Sequence, residues 1–242
     1  MDREEHSSVL EPGQQTPGQS TSSKSPHHAS RSEEAYTVFS AGIRTYLTYL
    51  LGFIMVLSTL TATIYFPLIP LLSDAFSVSV QKTNLTVTVY AIVQAIAPRI
   101  FASLADTSGR RPVLLGLLVV YAGASLGLTL AKNNYTALMT LRALQSLGGS
   151  PIPAIAYGIV ADVALVAERG KMLGPMLSTC NGLSAVGPVA AGAAAFSTGG
   201  YTWIFVTLLV ISAVCLLLTG FTVPETCRVI VGNGSTPTTG VW

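Results

Sequence analysis

From about residue 45 onward the chain is a series of long apolar runs broken by short polar stretches. Six of the runs are long enough to cross the ~30 Å hydrocarbon layer of a bilayer as helices. They cover about Thr45–Pro70, Asn84–Ala105, Val113–Ala131, Thr136–Val163, Met172–Phe196 and Tyr201–Val223. A polar connection containing Ser73, Asp74, Gln81 and Lys82 follows the first run. Asp106-Thr107-Ser108-Gly109-Arg110-Arg111-Pro112 joins the second to the third, and Lys132-Asn133-Asn134-Tyr135 leads into the fourth. Glu168-Arg169-Gly170-Lys171 separates the fourth from the fifth. Strands of a membrane barrel would be shorter and would alternate polar and apolar residues, which these runs do not. The expected fold is an all-α membrane protein of six transmembrane helices.

Residues 1–40 are different material. The stretch from Glu11 to Pro26 is rich in Ser, Thr, Pro and Gly and lacks the apolar surface to fold alone. It reads as a solvated, disordered tail, and no apolar run follows a basic start as in a signal peptide. The expected organisation is therefore a tail over 1–40, a helical domain over 41–226 and a polar segment over 227–242.

Composition agrees with the membrane reading. Half of the 242 residues are hydrophobic and 10% are charged, against about 25% charged in a soluble domain. The distribution of charge matters more than its net value of +2. Lys24, Arg31, Arg44, Arg110, Arg111, Arg169, Lys171 and Arg228 all fall on one side of a six-span topology, with Lys82 and Lys132 on the other. Both termini are then cytoplasmic by the positive-inside rule.

The same inventory excludes several functions. Cys180, Cys215 and Cys227 lie in or beside apolar runs and form no disulfide framework. His6, His27 and His28 all sit in the tail, so no cluster with metal-ligand spacing exists. No catalytic groups converge, and the chain is expected to be no enzyme, with no cofactor, no metal and no nucleic-acid partner.

The candidate chemistry lies in three places. Arg142 falls inside the fourth run, where an arginine costs roughly 2.5–3.5 kcal/mol at the bilayer centre, so it must face a cavity or find a partner. Gln145 lies one turn along the same face. Gly148, Gly149, Pro151 and Pro153 follow and weaken the helical ladder, which predicts a bend. Arg142 and Gln145 are therefore candidate functional residues; the alternative is an arginine that snorkels to the interface. Snorkelling is the expected role of Arg99, near the end of the second run. The second place is the turn with Asp106, Gly109, Arg110 and Arg111, for which the plain alternative is a surface ion pair. The third is the fifth run, where Gly187, Ala191 and Ala195 make a small-residue stripe suited to close helix packing.

These segments resemble the N-terminal half of a major facilitator superfamily transporter. More narrowly, the chain resembles the fungal twelve-span drug:proton antiporters of the quinidine-resistance type, from Tyr36 to Gly240. Leu104-Ala105-Asp106-Thr107-Ser108-Gly109-Arg110-Arg111-Pro112 matches the superfamily's signature loop, and Leu141-Arg142-Ala143-Leu144-Gln145 its span-four arginine motif. Gly187-Pro188-Val189-Ala190-Ala191-Gly192 resembles its antiporter motif, here with Gly187, Pro188 and Gly192 as the candidate residues. Ile64-Tyr65-Phe66-Pro67 resembles the end of that branch's span one, the segment from Asn84 to Tyr90 its start of span two, and the segment from Pro224 to Ser235 the start of its central cytoplasmic loop, so residues 227–242 are expected to begin that loop.

The resemblance implies one 3+3 half of a two-half carrier, with a small-molecule substrate held between the halves. It implies a cytoplasmic charge network of Asp106, Gly109, Arg110 and Arg111 with Asp162, a role for Arg142 and Gln145 in proton coupling or translocation, and proton-coupled export of drugs or metabolites by alternating access. The implied setting is the plasma membrane, with the lipid bilayer and either a C-terminal half or a second copy as partners. The alternative is a truncated, non-transporting remnant or interaction partner. The face that meets the second half is expected to carry Arg142 and Gln145.

Overall fold

A computed structural model describes residues 40–131, 134–198, 201–223 and 226. The tail over 1–39, Lys132, Asn133, the Pro224-Glu225 pair and the polar segment over 227–242 lie outside the described residues. The described residues are helical throughout, without a strand: α1 Ala41–Thr63, α2 Ile69–Ala75, α3 Val80–Ser108, α4 Arg110–Leu130, α5 Tyr135–Gly149, α6 Ile152–Val163, α7 Arg169–Thr198 and α8 Thr202–Thr222. The chain folds as six membrane-crossing segments, with α1–α2 and α5–α6 each forming a broken one. Four stretches satisfy the length and apolarity of a spanning helix outright, at Gly42–Ala75, Val80–Ser108, Arg110–Leu130 and Thr202–Thr222. The other two crossings are α5–α6, whose pieces are short, and α7.

Local chemistry explains where the segments start and break. Ser40, Ser79 and Asn134 each accept a hydrogen bond from the backbone N–H three residues on, capping α1, α3 and α5. The first crossing does not run unbroken to Pro70. It turns through a 3₁₀ segment at Phe66–Leu68 and resumes as α2, because Pro67 and Pro70 offer no N–H to the ladder. Ser73 and Asp74 belong to α2, and Gln81 and Lys82 to α3, so the polar connection is only a few residues long. The bend expected in the fourth crossing is present: α5 ends at Gly149, Pro151 precedes α6, and the two helices meet at Ser150. Between Ser108 and Arg110 the turn is a single residue, Gly109, at φ 102°. L-residues are strained there, which is what the signature turn needs its glycine for.

The helices pack in a fixed order. α1 lies along α7, α4 lies between α5 and α8, and α3 packs on α5. One apolar core gathers Leu47, Leu51, Ile54, Leu114, Leu118, Ile155, Ile159 and Met176. A second gathers Leu60, Ile64, Leu68, Leu72, Leu128, Leu138 and Phe205 towards the other end. Buried polar residues lie where the two cores meet, among them Thr61, Ser125, Arg142, Gln145 and Ser146. Such groups are expensive in an apolar bundle unless they find each other.

Candidate functional site

Arg142 is the largest fully buried side chain, at 1% exposure. It does not snorkel. Its Nη1 donates to Gln145 Oε1 at 2.7 Å, and Gln145 Nε2 donates to Ser125 Oγ on α4 at 3.0 Å. Its guanidinium carbon lies 4.0 Å from the Tyr65 ring centroid and 4.5 Å from that of Tyr90. Tyr65 follows α1, Tyr90 belongs to α3 and Arg142 to α5, so one guanidinium joins three crossings. No carboxylate pairs with it among the described residues. Desolvated cation–π contacts contribute about 2 kcal/mol each, so two ring faces and one amide oxygen replace the missing counter-charge. The surroundings extend the network: Tyr65 Oη and Thr86 Oγ1 lie 2.8 Å apart, Ser146 Oγ donates to Tyr90 O at 2.8 Å, and Tyr121 Oη is hydrogen-bonded to Thr61 Oγ1. Arg142 and Gln145 thus come together as their spacing implied. The expectation that they lie on the face meeting a second half is overturned, because both are enclosed within this bundle.

The clamp makes a discriminating prediction. Tyr90 Oη and Arg142 Nε are buried without a hydrogen-bond partner. Tyr90→Phe is therefore expected to change unfolding stability by less than about 0.5 kcal/mol, since the ring face remains. Tyr65→Phe should cost about 1 kcal/mol, the usual net value of a hydrogen bond. The leucine variants, which lose the π face, should cost about 2 kcal/mol more than the corresponding phenylalanine variants. Equilibrium unfolding in mixed micelles checks the series, and leucine variants as stable as phenylalanine would remove the cation–π role.

The signature turn builds the second cluster. Arg110 Nε meets Asp162 Oδ2 at 2.5 Å, and its Nη2 meets Asp106 Oδ1 at 2.9 Å. The two carboxylates differ: the Asp162 side chain is 15% exposed and that of Asp106 58%. The first bond ties α4 to α6 in a half-dry setting. The second is the i, i+4 surface pair, worth about 0–1 kcal/mol. Arg111 points elsewhere and donates to the Gly220 carbonyl in the last turn of α8. Gly158 completes the Arg110–Asp162 bridge, because a Cβ there would lie 1.9 Å from Arg110 Nη1. Asp162→Asn should accordingly cost more stability than Asp106→Asn. A double-mutant cycle of Arg110→Ala with each should give a coupling of about 1 kcal/mol or more for Asp162 and less for Asp106. Equal couplings would contradict the asymmetry.

The fifth crossing is a packing element. Gly187 sits so close to α1 that a Cβ would lie 1.9 Å from Leu60 Cδ1, and Ala191 is buried beside it. Pro188 is half-buried inside α7 and Gly192 has open space around its Cα. No hydrogen bond, ion pair or ring contact among the described residues joins this segment to Arg142. Arg99 is exposed on α3, as expected of a snorkelling residue.

Sequence reasoning assigned no role to Tyr65, Tyr90, Ser125 or Gly158. The aromatic residues lay in segments noted for resemblance, but nothing in a single chain shows that two tyrosines converge on an arginine 52 and 77 residues away. Gly158 reads as one more small residue in an apolar helix until Arg110 is seen crossing it.

A bundle of six crossings with a charge-bridged turn and a buried arginine has the architecture of a membrane transporter half. The Major Facilitator Superfamily profile matches residues 51–237, and the chain belongs to that family. Several fungal transporters are similar to this chain. Quinidine resistance protein 1 of Saccharomyces cerevisiae is 37% identical over 203 residues, covering 83% of this chain and 35% of that protein. An MFS-type transporter of Talaromyces stipitatus is 40% identical over 214 residues, covering 85% of this chain and 37% of that protein. Citrate exporter 1 of Aspergillus niger is 33% identical over 232 residues, covering 96% of this chain and 42% of that protein. The chain thus spans less than half the length of these curated relatives. The human organic anion transporter MFSD10 shares the fold, with a TM-score of 0.60 over 78% of this chain and 49% of its own, at 18% identity. The family is non-enzymatic.

Proposed function

We propose that the chain is the N-terminal half of a proton-coupled exporter of drugs or small metabolites working by alternating access. The observation that carries this reading is the Arg110–Asp162 bridge, which joins α4 to α6 at one end of the bundle beside the exposed Asp106. A few half-buried ion pairs at one end can bias a two-state rocker by a few kcal/mol and must open when that end opens. Arg142, in this reading, holds α5 to its neighbours so that the bundle moves as one body, and couples that body to protons. The names of the quinidine-resistance relative and of the citrate exporter support a substrate range of drugs and small metabolites.

The second half would cover α3. Only 17% of the apolar window of that helix is buried, against 72% for the first crossing. Exposed on it are Ile92, Ile96 and Ile100, and also Gln94, a polar group that lipid cannot satisfy. A C-terminal half supplies that cover, with a second copy of this chain as the alternative.

The test is a carrier completed with the C-terminal half of the Saccharomyces cerevisiae relative, expressed in cells lacking their own exporters. Quinidine accumulation should fall, and Asp162→Asn should restore it with the protein still in the membrane. Unchanged accumulation with correct membrane insertion would sink the exporter reading.

Orientation is tested separately. We place both termini in the cytoplasm of a plasma-membrane protein, on the loop cation asymmetry. A cysteine at Ser108 should resist an impermeant thiol reagent in intact cells, and one at Lys82 should react. The opposite labelling would invert the topology.

A further inference from the structure

A cavity of about 300 Å³ lies where α1 and α7 begin, lined by Arg44, Thr45, Tyr49, Glu168, Lys171 and Pro175 among others. It belongs to neither the Arg142 clamp nor the signature turn. We propose that it holds the headgroup of an anionic phospholipid, with an acyl chain lying along the α1–α7 seam.

Charge comes first. Arg44 Nη1 meets Glu168 Oε2 at 2.7 Å. The hydrogen bond from Arg44 and its charge hold the Glu168 carboxyl below the usual carboxylate range, so this pair stays ionised and nearly neutral as a unit at physiological pH. Lys171 is a further cation, 80% exposed and 3.9 Å from the other Glu168 oxygen. Among the described residues two cations thus face one carboxylate, and a lipid phosphate or carboxylate supplies the remaining negative charge. Basic side chains at a bilayer surface attract anionic lipid in this way.

Shape and depth follow. Tyr49, Phe53, Val56 and Leu60 recur at i, i+4, i+7 and i+11 and share one side of α1. Pro175, Leu183 and Val186 continue the opposite wall on α7. Further along the same two helices a separate apolar cavity is lined by Phe53, Val56, Leu60, Leu183 and Val186 together with Trp203 and Ile204 of α8, so a polar mouth and an apolar stretch follow one another along α1 and α7, as the two parts of a phospholipid do. Tyr49 is 55% exposed at the rim, the position where tyrosines concentrate at bilayer interfaces. The cavity lies at the same end as Arg110, Arg111 and Arg169. In the orientation proposed above, that end meets the cytoplasmic leaflet, where anionic lipids reside.

The test is native mass spectrometry of the purified 242-residue chain, released from micelles doped with equal amounts of dioleoyl phosphatidylserine and dioleoyl phosphatidylcholine. Retention of phosphatidylserine should exceed that of phosphatidylcholine by about tenfold, the ratio given by one charge-assisted hydrogen bond. Lys171→Glu should bring the two lipids to parity. Thr45→Trp, which fills the cavity without changing its charge, should lower phosphatidylserine retention to the same level. Lys82→Glu at the opposite end should change nothing. Lys171, Thr45 and Lys82 are exposed, so these variants keep the apolar cores intact. Equal retention by the parent chain, an undiminished preference in Lys171→Glu, or displacement of the lipid by inorganic phosphate at micelle concentration would each overturn the proposal. The readout needs no transport, so loss of the exporter reading with lipid preference intact leaves this site standing. Reversed thiol labelling with lipid preference intact would move the site to the other leaflet.

Discussion

Arg142→Ala will enter membranes more readily than the parent chain, fold less stably, and abolish export in a completed carrier. The first effect follows from removing a charge that costs roughly 2.5–3.5 kcal/mol at the bilayer centre. The second follows from what the arginine does once the helices assemble. In separate helices its guanidinium has no partner. In the bundle it gains the faces of Tyr65 and Tyr90 and the Gln145 oxygen. Alanine loses two desolvated cation–π contacts of about 2 kcal/mol each. It also leaves Gln145 Oε1 without its donor, at about 1–3 kcal/mol. A net loss of about 3 kcal/mol or more is expected. Arg142→Lys should fall between, because an ammonium can sit over one ring but cannot present a planar fork between two. Glycosylation mapping reads insertion, unfolding in mixed micelles reads stability, and quinidine efflux reads function. An alanine variant with full efflux and parental stability would reduce Arg142 to a bystander.

The second large effect is at Gly148. A Cβ there would lie 2.6 Å from Tyr121 N and 2.7 Å from Leu117 O. Both are backbone atoms of α4 that cannot swing aside, so α5 must back away. That displacement would pull Gln145 from Ser125 and Arg142 from its rings. Gly148→Ala is expected to cost about 2–3 kcal/mol, as overpacking does, and Gly148→Val should prevent folding. Gly116 and Gly123 on the same helix pair have open space around them. Alanine at either should be neutral or gain up to about 1 kcal/mol of helix propensity. Melting temperatures of the four variants check the contrast, and a tolerated Gly148→Val would mean that α4 and α5 do not approach so closely.

Much of this arrangement was legible in the chain itself. Uninterrupted apolarity over twenty or more residues has few solutions in a bilayer, so the crossings followed directly. The break in the fourth crossing followed from glycine and proline at 148–153. The break in the first did not, because the apolar run continues through Pro67 and only the backbone shows that two prolines split it. Gln145 was readable as a partner of Arg142 because i, i+3 spacing fixes neighbours on one helix. Tyr65 and Tyr90 were not, since contacts between helices depend on crossing angle and rotation, which one sequence does not specify. For the same reason the sequence does not show that the clamp is enclosed within the bundle and not on its open face. An arginine in an apolar helix needs partners, but the sequence does not say whether they come from its own half or from another. Asp162 became readable through the resemblance, whereas Gly158 waited on the path of Arg110.

The central claim is that this bundle is one half of a carrier and needs a second half to move substrate. The most direct measurement is quinidine transport into proteoliposomes under an imposed pH gradient, with the purified chain alone and with the chain co-purified with a C-terminal half from its Saccharomyces cerevisiae relative. The account predicts no gradient-driven uptake by the chain alone, and uptake that collapses with the gradient when both halves are present. Robust gradient-driven uptake by the chain alone would contradict it, and would mean that two copies of this bundle make the whole carrier.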